Sequence, residues 1–239
     1  MPRLTGTRKA LRRRIEALRS TSSKSDCPED ARLVTAMSDP YRWASEYTQT
    51  YNEHWQEEDR PSPYEPFPAR LPYLKPLFEV FEMERIVWIV KSRDMMISWA
   101  CMAYLIWKAM TVPLCGSVVQ TQKEKKVIQL VHYARCLYRQ QPAWLRDAIP
   151  LATPLKNQSE LELQFANGSY IVGIPGGADQ IRSYHPWGYL NDESSFQPEA
   201  GDCYNEALSV VKGKIILNSS AGPGWYADAR RDIVRSEEE

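Results

Sequence analysis

The sequence predicts an α/β fold, a mainly parallel central sheet with helices on both faces, preceded by a helical and extended N-terminal arm. Three observations predict it. From residue 83 onward, apolar runs of strand length alternate with segments of helical period, and that order fits a parallel sheet. Several runs, among them MERIVWIV (83–90) and KIILNSS (214–220), are apolar on successive residues, as strands covered on both faces are. The chain has 239 residues, 43% of them hydrophobic, enough for one sizeable core with an appended arm rather than two full domains.

The elements follow in order. Residues 1–37 read as a flexible basic arm, in which Arg3, Arg8, Lys9, Arg12, Arg13, Arg14, Arg19 and Lys24 face one acid, Glu16, within the first 24 residues. Such a segment is either solvated or in contact with phosphates or a partner subunit. A turn or two around Leu11, Ile15 and Leu18 is amphipathic, and SSKSDCPED reads as a linker. Over residues 39–55, Trp43, Tyr47, Tyr51 and Trp55 recur every fourth residue and predict a helix with a core-facing aromatic stripe. RPSPYEPFPARLPY then predicts an extended, proline-rich approach. Strand 83–90, helix Ser98–Met110 and strand 116–122 come next, followed by an amphipathic helix Lys123–Arg139 that turns Val127, Leu130, Val131, Ala134 and Leu137 inward. Asn167-Gly168 joins strands 161–166 and 169–175 as a hairpin. Strand 187–192, a helix over Glu199–Val210 and strand 214–220 complete the series.

Composition removes several classes of function. Lys+Arg and Asp+Glu are both 30, so any basic surface must be local. Five scattered cysteines without a C-x-x-C pair argue against a disulfide framework and a zinc site and for a reducing compartment. His132 and His185 have no second ligand at metal spacing and read as surface or structural histidines. The longest apolar run, Met95–Trp107, has 13 residues, too few to span a bilayer, and the N-terminus lacks the apolar stretch of a secretory signal.

Chemistry concentrates in two places. KSRDMMIS (91–98) lies between an apolar strand and an apolar helix, where a helix N-terminus offers free N–H groups and positive dipole to a phosphate. Against G-x-x-x-x-G-K-[ST] it keeps the length and the final hydroxyl, Ser98. It has Lys91 for the first glycine, Met96 for the second and Ile97 for the lysine. A lysine leading the loop can fold across it and reach the same phosphates. Read without further context, the segment is equally a plain basic turn. In GYLNDESSF (188–196) an apolar strand ends in Asp192-Glu193. Adjacent acids at a strand end suit two tasks, one ordering the Mg²⁺ shell and the next activating the attacking water. Acids capping a helix N-terminus are the alternative.

Taken together, these segments resemble the ATPase domain of tailed-bacteriophage terminase large subunits, whose deviant Walker A loop often leads with lysine followed by Ser-Arg. The likeness covers about residues 38–230 and rests on the order and spacing of four motifs. It implies a P-loop NTPase of the ASCE type. By that resemblance Lys91 and Arg93 bind phosphate within a loop completed by Ser92, Asp94, Met95, Met96 and Ile97. Ser98 and Asp192 hold Mg²⁺, and Glu193 activates water. The loop departs from the family at Met95 and Met96, where a glycine is usual and a bulky side chain resists positive φ. GIPGGADQIRSYHPW (173–187) resembles the stretch that presents an arginine to a neighbouring subunit, which makes Arg182 the candidate finger; the alternative is a local ion pair. KIILNSSAGPGWY (214–226) resembles the coupling motif, with Ser219 and Ser220 sensing the γ-phosphate. FPARLPYLKPLFEVF (67–81) stands where the family recognises adenine; Tyr73 would stack on the base, although the usual glutamine is missing and Lys75 is near its place.

The resemblance implies that residues 38–239 hydrolyse ATP with Mg²⁺ to drive double-stranded viral DNA into a procapsid, in the host cytoplasm. It further implies a ring of subunits, a portal protein, a small terminase subunit, and DNA contacts to phosphates rather than bases. The family's nuclease domain has no room here, and no membrane is expected. Two rivals remain open at this point: another translocating ATPase such as a helicase core, and a nucleotide-binding assembly module that does not hydrolyse.

Overall fold

The computed structural model describes residues 28–238. Helices α1 (Pro28–Ala36) and α2 (Pro40–Tyr47) precede a small antiparallel ribbon, β1 (Gln49–Tyr51) with β2 (Tyr64–Pro66), and helix α3 (Leu74–Met83) follows. The alternating part begins with β3 (Ile86–Lys91), α4 (Ile97–Thr111), β4 (Gly116–Thr121), α5 (Glu124–Arg139) and α6 (Ala143–Ala148). It continues with β5 (Glu162–Gln164), β6 (Tyr170–Pro175), the single turn α7 (Asp179–Arg182) and β7 (Gly188–Asp192), then α8 (Ala200–Val210), β8 (Lys214–Ser220) and α9 (Trp225–Glu238). The basic stretch of residues 1–24, the amphipathic turn within it and Cys27 lie outside the described residues.

Six strands form one sheet in the order β3-β8-β7-β4-β6-β5, with every neighbouring pair parallel except β5 and β6. Successive side chains of a strand point to opposite faces, so each central strand feeds two cores. Val119, Leu190 and Ile216 pack with α2 to α6 on one face. Val118, Tyr189, Ile215 and Leu217 pack with α8 and α9 on the other. Helix α4 is buried on all sides from Trp99 to Thr111, which is why its sequence is apolar throughout rather than striped. Helix α5 is striped, and the five residues expected to face inward are all buried. Among the described residues no helix is long and apolar enough to cross a membrane.

Strand β8 inserts between β3 and β7, which brings three C-terminal strand ends side by side. In register Lys91 lies opposite Ser220, and Asp192 lies opposite Asn218. In open α/β sheets this edge is where ligands bind.

One expectation needs correction. The helix expected over residues 39–55 stops at Tyr47: Thr48 is extended (φ −126°, ψ 163°), and Gln49–Tyr51 pairs with Tyr64–Pro66. The β-branched Thr48 and Thr50 are buried there and favour extended backbone, and the proline-rich approach supplies the strand they pair with. The aromatics keep their apolar role: Trp43 is fully buried, with Nε1–H donating to Gln141 Oε1 at 2.8 Å, while Tyr51 meets the rings of Tyr64 and His132 edge-on. Helix α3 follows directly on the proline-rich approach of residues 60–73, over residues for which no element was expected. Its proline, Pro76, lies in the first turn, where no intrahelical N–H bond is lost.

Close contact between α5 and the sheet depends on Gly173 of β6, where an added Cβ would lie 2.3 Å from Val127 Cγ1 and 3.0 Å from Val131 Cγ2. Gly173→Ala is expected to cost about 1–3 kcal/mol through overpacking, seen as a lower urea midpoint with an unchanged slope. An unaltered midpoint would show that α5 yields freely.

Candidate nucleotide-binding site

The loop between β3 and α4 turns back on itself through two left-handed residues, Asp94 (φ 60°) and Met96 (φ 54°). Aspartate tolerates that conformation; methionine does so at a cost of roughly 1–2 kcal/mol, and the packing of Met96 against the apolar core holds it there. The first helical bond of α4 runs from Ala100 N to Met96 O, so the N–H groups of Ile97, Ser98 and Trp99 point out of the helix end. Tyr73 donates its hydroxyl to Met95 O at 3.1 Å and thereby ties α3 to the loop. Ser92 and Arg93 are exposed at its outer side.

Beneath the loop lies a buried carboxylate. Ser98 Oγ is 3.1 Å from both oxygens of Asp192, and Asn218 Nδ2 donates to Asp192 Oδ1 and, at 3.4 Å, to Ser98 Oγ. Asn218 Oδ1 is buried without a hydrogen-bond partner among the described residues. Burial pushes the Asp192 carboxyl up to about 6; the charge of Lys91 and the bonds from Ser98 and Asn218 pull it down, while the charge of Glu193 adds to the rise. Next along the chain, Glu193 is left-handed (φ 58°), which swings its side chain out of the strand. Its Oε1 pairs with Lys91 Nζ at 3.0 Å, and its Oε2 accepts from Ser220 N at 3.4 Å. Of the eight loop residues, the structure thus brings the two at its ends, Lys91 and Ser98, into direct contact with the Asp192-Glu193 pair.

Ser219 is fully buried, and its Oγ accepts from Ser195 N at 3.0 Å; Ser195 Oγ donates to Ser220 O at 3.2 Å. Both serines at the end of β8 therefore hold the turn that carries Glu193. A second buried network starts at Gln197, which donates to Asp192 O at 2.7 Å and to Asn191 Oδ1. Through Asn191, Tyr189 and Gln120 it reaches the carbonyls of Pro175 and Gly177, the loop ahead of α7. Arg182, on α7, points elsewhere: it is exposed and pairs with Glu206 at 2.6 Å. The local ion pair is thus what the isolated chain shows for this arginine.

Asn218 is the residue the sequence reading passed over. Its signal was a lone amide inside the apolar run KIILNSS, since an amide buried in a strand must find polar partners.

No family model matches the sequence, and no curated protein matches it. Solved structures do. The Thermus phage P74-26 large terminase ATPase domain and a mutant of it match at TM-score 0.45 with 15% and 14% identity, over 60% of this chain and 62% and 63% of theirs. The HK97 bacteriophage large terminase matches at TM-score 0.55 with 11% identity, over 70% of this chain and 37% of that one. Over 70% of its length the chain shares its fold with part of the HK97 bacteriophage large terminase. It spans about a third of the HK97 large terminase. The mainly parallel α/β sheet expected from the sequence is present, and the cluster just described lies at its C-terminal strand ends.

Because the folded-state value of Asp192 lies above that of the unfolded chain, the folded state holds the extra proton between about pH 4 and 6. Stability therefore falls as pH rises through that window, and the full loss, on the order of 2–3 kcal/mol, is present at pH 7. Asp192→Asn is expected to raise the thermal midpoint of the ligand-free chain at pH 7, and the gain should vanish near pH 4. An equal effect at both pH values would mean that ionisation of Asp192 is not the cause.

Proposed function

We propose that this chain is the ATP-hydrolysing motor domain of viral DNA packaging, a terminase ATPase that couples hydrolysis to translocation of double-stranded DNA into a procapsid. The observation that carries the proposal is the convergence of Ser98, Asp192, Glu193 and Lys91 beneath a helix N-terminus. The N–H groups at the start of α4 suit the phosphates of ATP, with Lys91 and Arg93 adding charge and Tyr73 placed against the loop for the base. A hydroxyl and one buried carboxylate, beside the unpartnered Asn218 Oδ1, form a donor set that fits Mg²⁺, which keeps several waters and binds through few protein oxygens plus phosphate. Ser98 and Asp192 would hold it, and it would there neutralise charge on the phosphates. Glu193 takes the proton of the attacking water once Lys91 turns from it to phosphate. Ser219 and Ser220, bonded to the turn bearing Glu193, carry loss of the γ-phosphate into β8.

In the assembled motor we assign Arg182 to the γ-phosphate of a neighbouring subunit in a ring; its exposure suits that task, and Glu206 would have to release it. Portal protein, small terminase subunit and DNA phosphates in the host cytoplasm complete this reading. A second reading has one observation in its favour. Met96 is left-handed where the family uses glycine, and Ile97 stands in the lysine position, so a module that binds nucleotide for assembly without turning it over also fits.

Calorimetric titration with MgATP tests the site first. Wild type should bind, and Lys91→Ala should weaken binding tenfold or more, about the worth of a charge-assisted hydrogen bond. Binding unchanged in the variant would remove Lys91 from the site. Hydrolysis measured with DNA then separates the two readings: Glu193→Gln should bind MgATP normally and lose roughly 10²–10⁴-fold in rate. A wild type that binds but shows no turnover with DNA would favour the assembly module.

A further inference from the structure

Outside the nucleotide site, one face of α5 lines a cavity of about 100 Å³. Its wall contains His132, Arg135, Arg139 and Gln140, with Tyr64 and Leu155 across from them, and no acid. Residues three and four apart share a helix face, so the imidazole and both guanidinium groups are neighbours. Like charges at that spacing destabilise a helix unless something between them compensates.

The two arginines differ in a way that favours a ligand. Arg135 is fixed by neutral carbonyls: Nη2 donates to Glu162 O at 3.0 Å and Gln158 O at 3.3 Å, and also to Ser159 O. Its charge is therefore held in place without being neutralised by contact, with Glu160 the acid that acts on it from further off. Arg139 is exposed, and its guanidinium makes no hydrogen bond or ion pair among the described residues. The acid that acts on His132 is Glu53, itself hydrogen-bonded to Gln129 Nε2 at 2.7 Å. The space is far below the roughly 300 Å³ at which nucleotide-sized pockets begin, and it suits a single tetrahedral oxyanion.

We propose that this cavity binds one phosphate group, either free or as part of a nucleic-acid backbone, between Arg135, Arg139, the Gln140 amide and His132. Arg139 can offer its whole fork to phosphate oxygens, while Arg135, its Nε and Nη2 already held by carbonyls, keeps Nη1 for the anion and loses little freedom on binding. The site stands apart from the nucleotide reading and survives its failure. Burial and the charges of Arg139 and Arg135 hold His132 below its ordinary range, against the weaker pull of Glu53. A bound anion offsets both arginines and so raises the histidine again.

The experiment is a pH titration by NMR of the three histidine rings of the full chain, with His132 assigned through His132→Gln, in the absence and presence of inorganic phosphate. The His132 midpoint should rise by about one pH unit with phosphate, saturably, while His54 and His185 stay put. Arg139→Gln should abolish the response, and Lys91→Ala, which disables the nucleotide loop, should keep it. A short DNA duplex run in parallel identifies the source. A response at far lower concentration than inorganic phosphate, and weakened by salt, marks a backbone contact; a response to inorganic phosphate alone marks a free anion. A His132 midpoint indifferent to both probes, or a response that persists in Arg139→Gln, overturns the proposal.

Discussion

The architecture turns on one buried charge. Asp192 ends a strand covered on both faces, and burying a carboxylate there is tolerable only because polar groups reach it from two other elements: Ser98 from the first turn of α4 and Asn218 from β8. Those partners exist because β8 lies between β3 and β7, so that three strand ends open at one place. The compensation is partial, as the raised carboxyl shows. The geometry of the loop, the position of Lys91 and the turn that carries Glu193 all follow from where this carboxylate sits.

The loop itself illustrates how sequence and conformation can part company. A glycine-poor segment reads as a failed phosphate motif, yet its backbone takes the left-handed steps at Asp94 and Met96 that the shape of the loop needs. Strain at those residues is held by packing: Met96 lies against the apolar core, and Ile97 is buried where the usual motif has lysine. A lysine stands instead at the front of the loop, where Lys91 reaches Glu193. Strained residues concentrated at a polar cluster are what a functional site is expected to show.

Where periodicity was strong, the sequence was legible. The apolar runs at 83–90, 187–192 and 214–220 became β3, β7 and β8, and the inward stripe of α5 was read residue by residue. Reading failed where two periodicities coincide: aromatics spaced by four residues suggested a helix through Tyr51, but tertiary pairing with Tyr64–Pro66 and the β-branched Thr48 and Thr50 decided for a strand. Helix α3, with Pro76 in its first turn, was not anticipated. At the site, the end residues Lys91 and Ser98 and the acid pair were legible because loop length and strand ends are local properties. Asn218 was not, since its role depends on strand order, which no local window contains. The pairing of Arg182 with Glu206 is likewise a contact across 24 residues that spacing does not reveal.

The most direct test of the account asks whether a divalent cation sits between Ser98 and Asp192. Mn²⁺ added with a non-hydrolysable ATP analogue can be followed by electron paramagnetic resonance in wild type, Ser98→Ala and Asp192→Ala. Wild type is expected to immobilise the ion with the nucleotide, and both variants to leave the spectrum of the ion and free nucleotide. Equal immobilisation in all three would place the cation elsewhere and contradict the reading of Asp192 as the centre of the site.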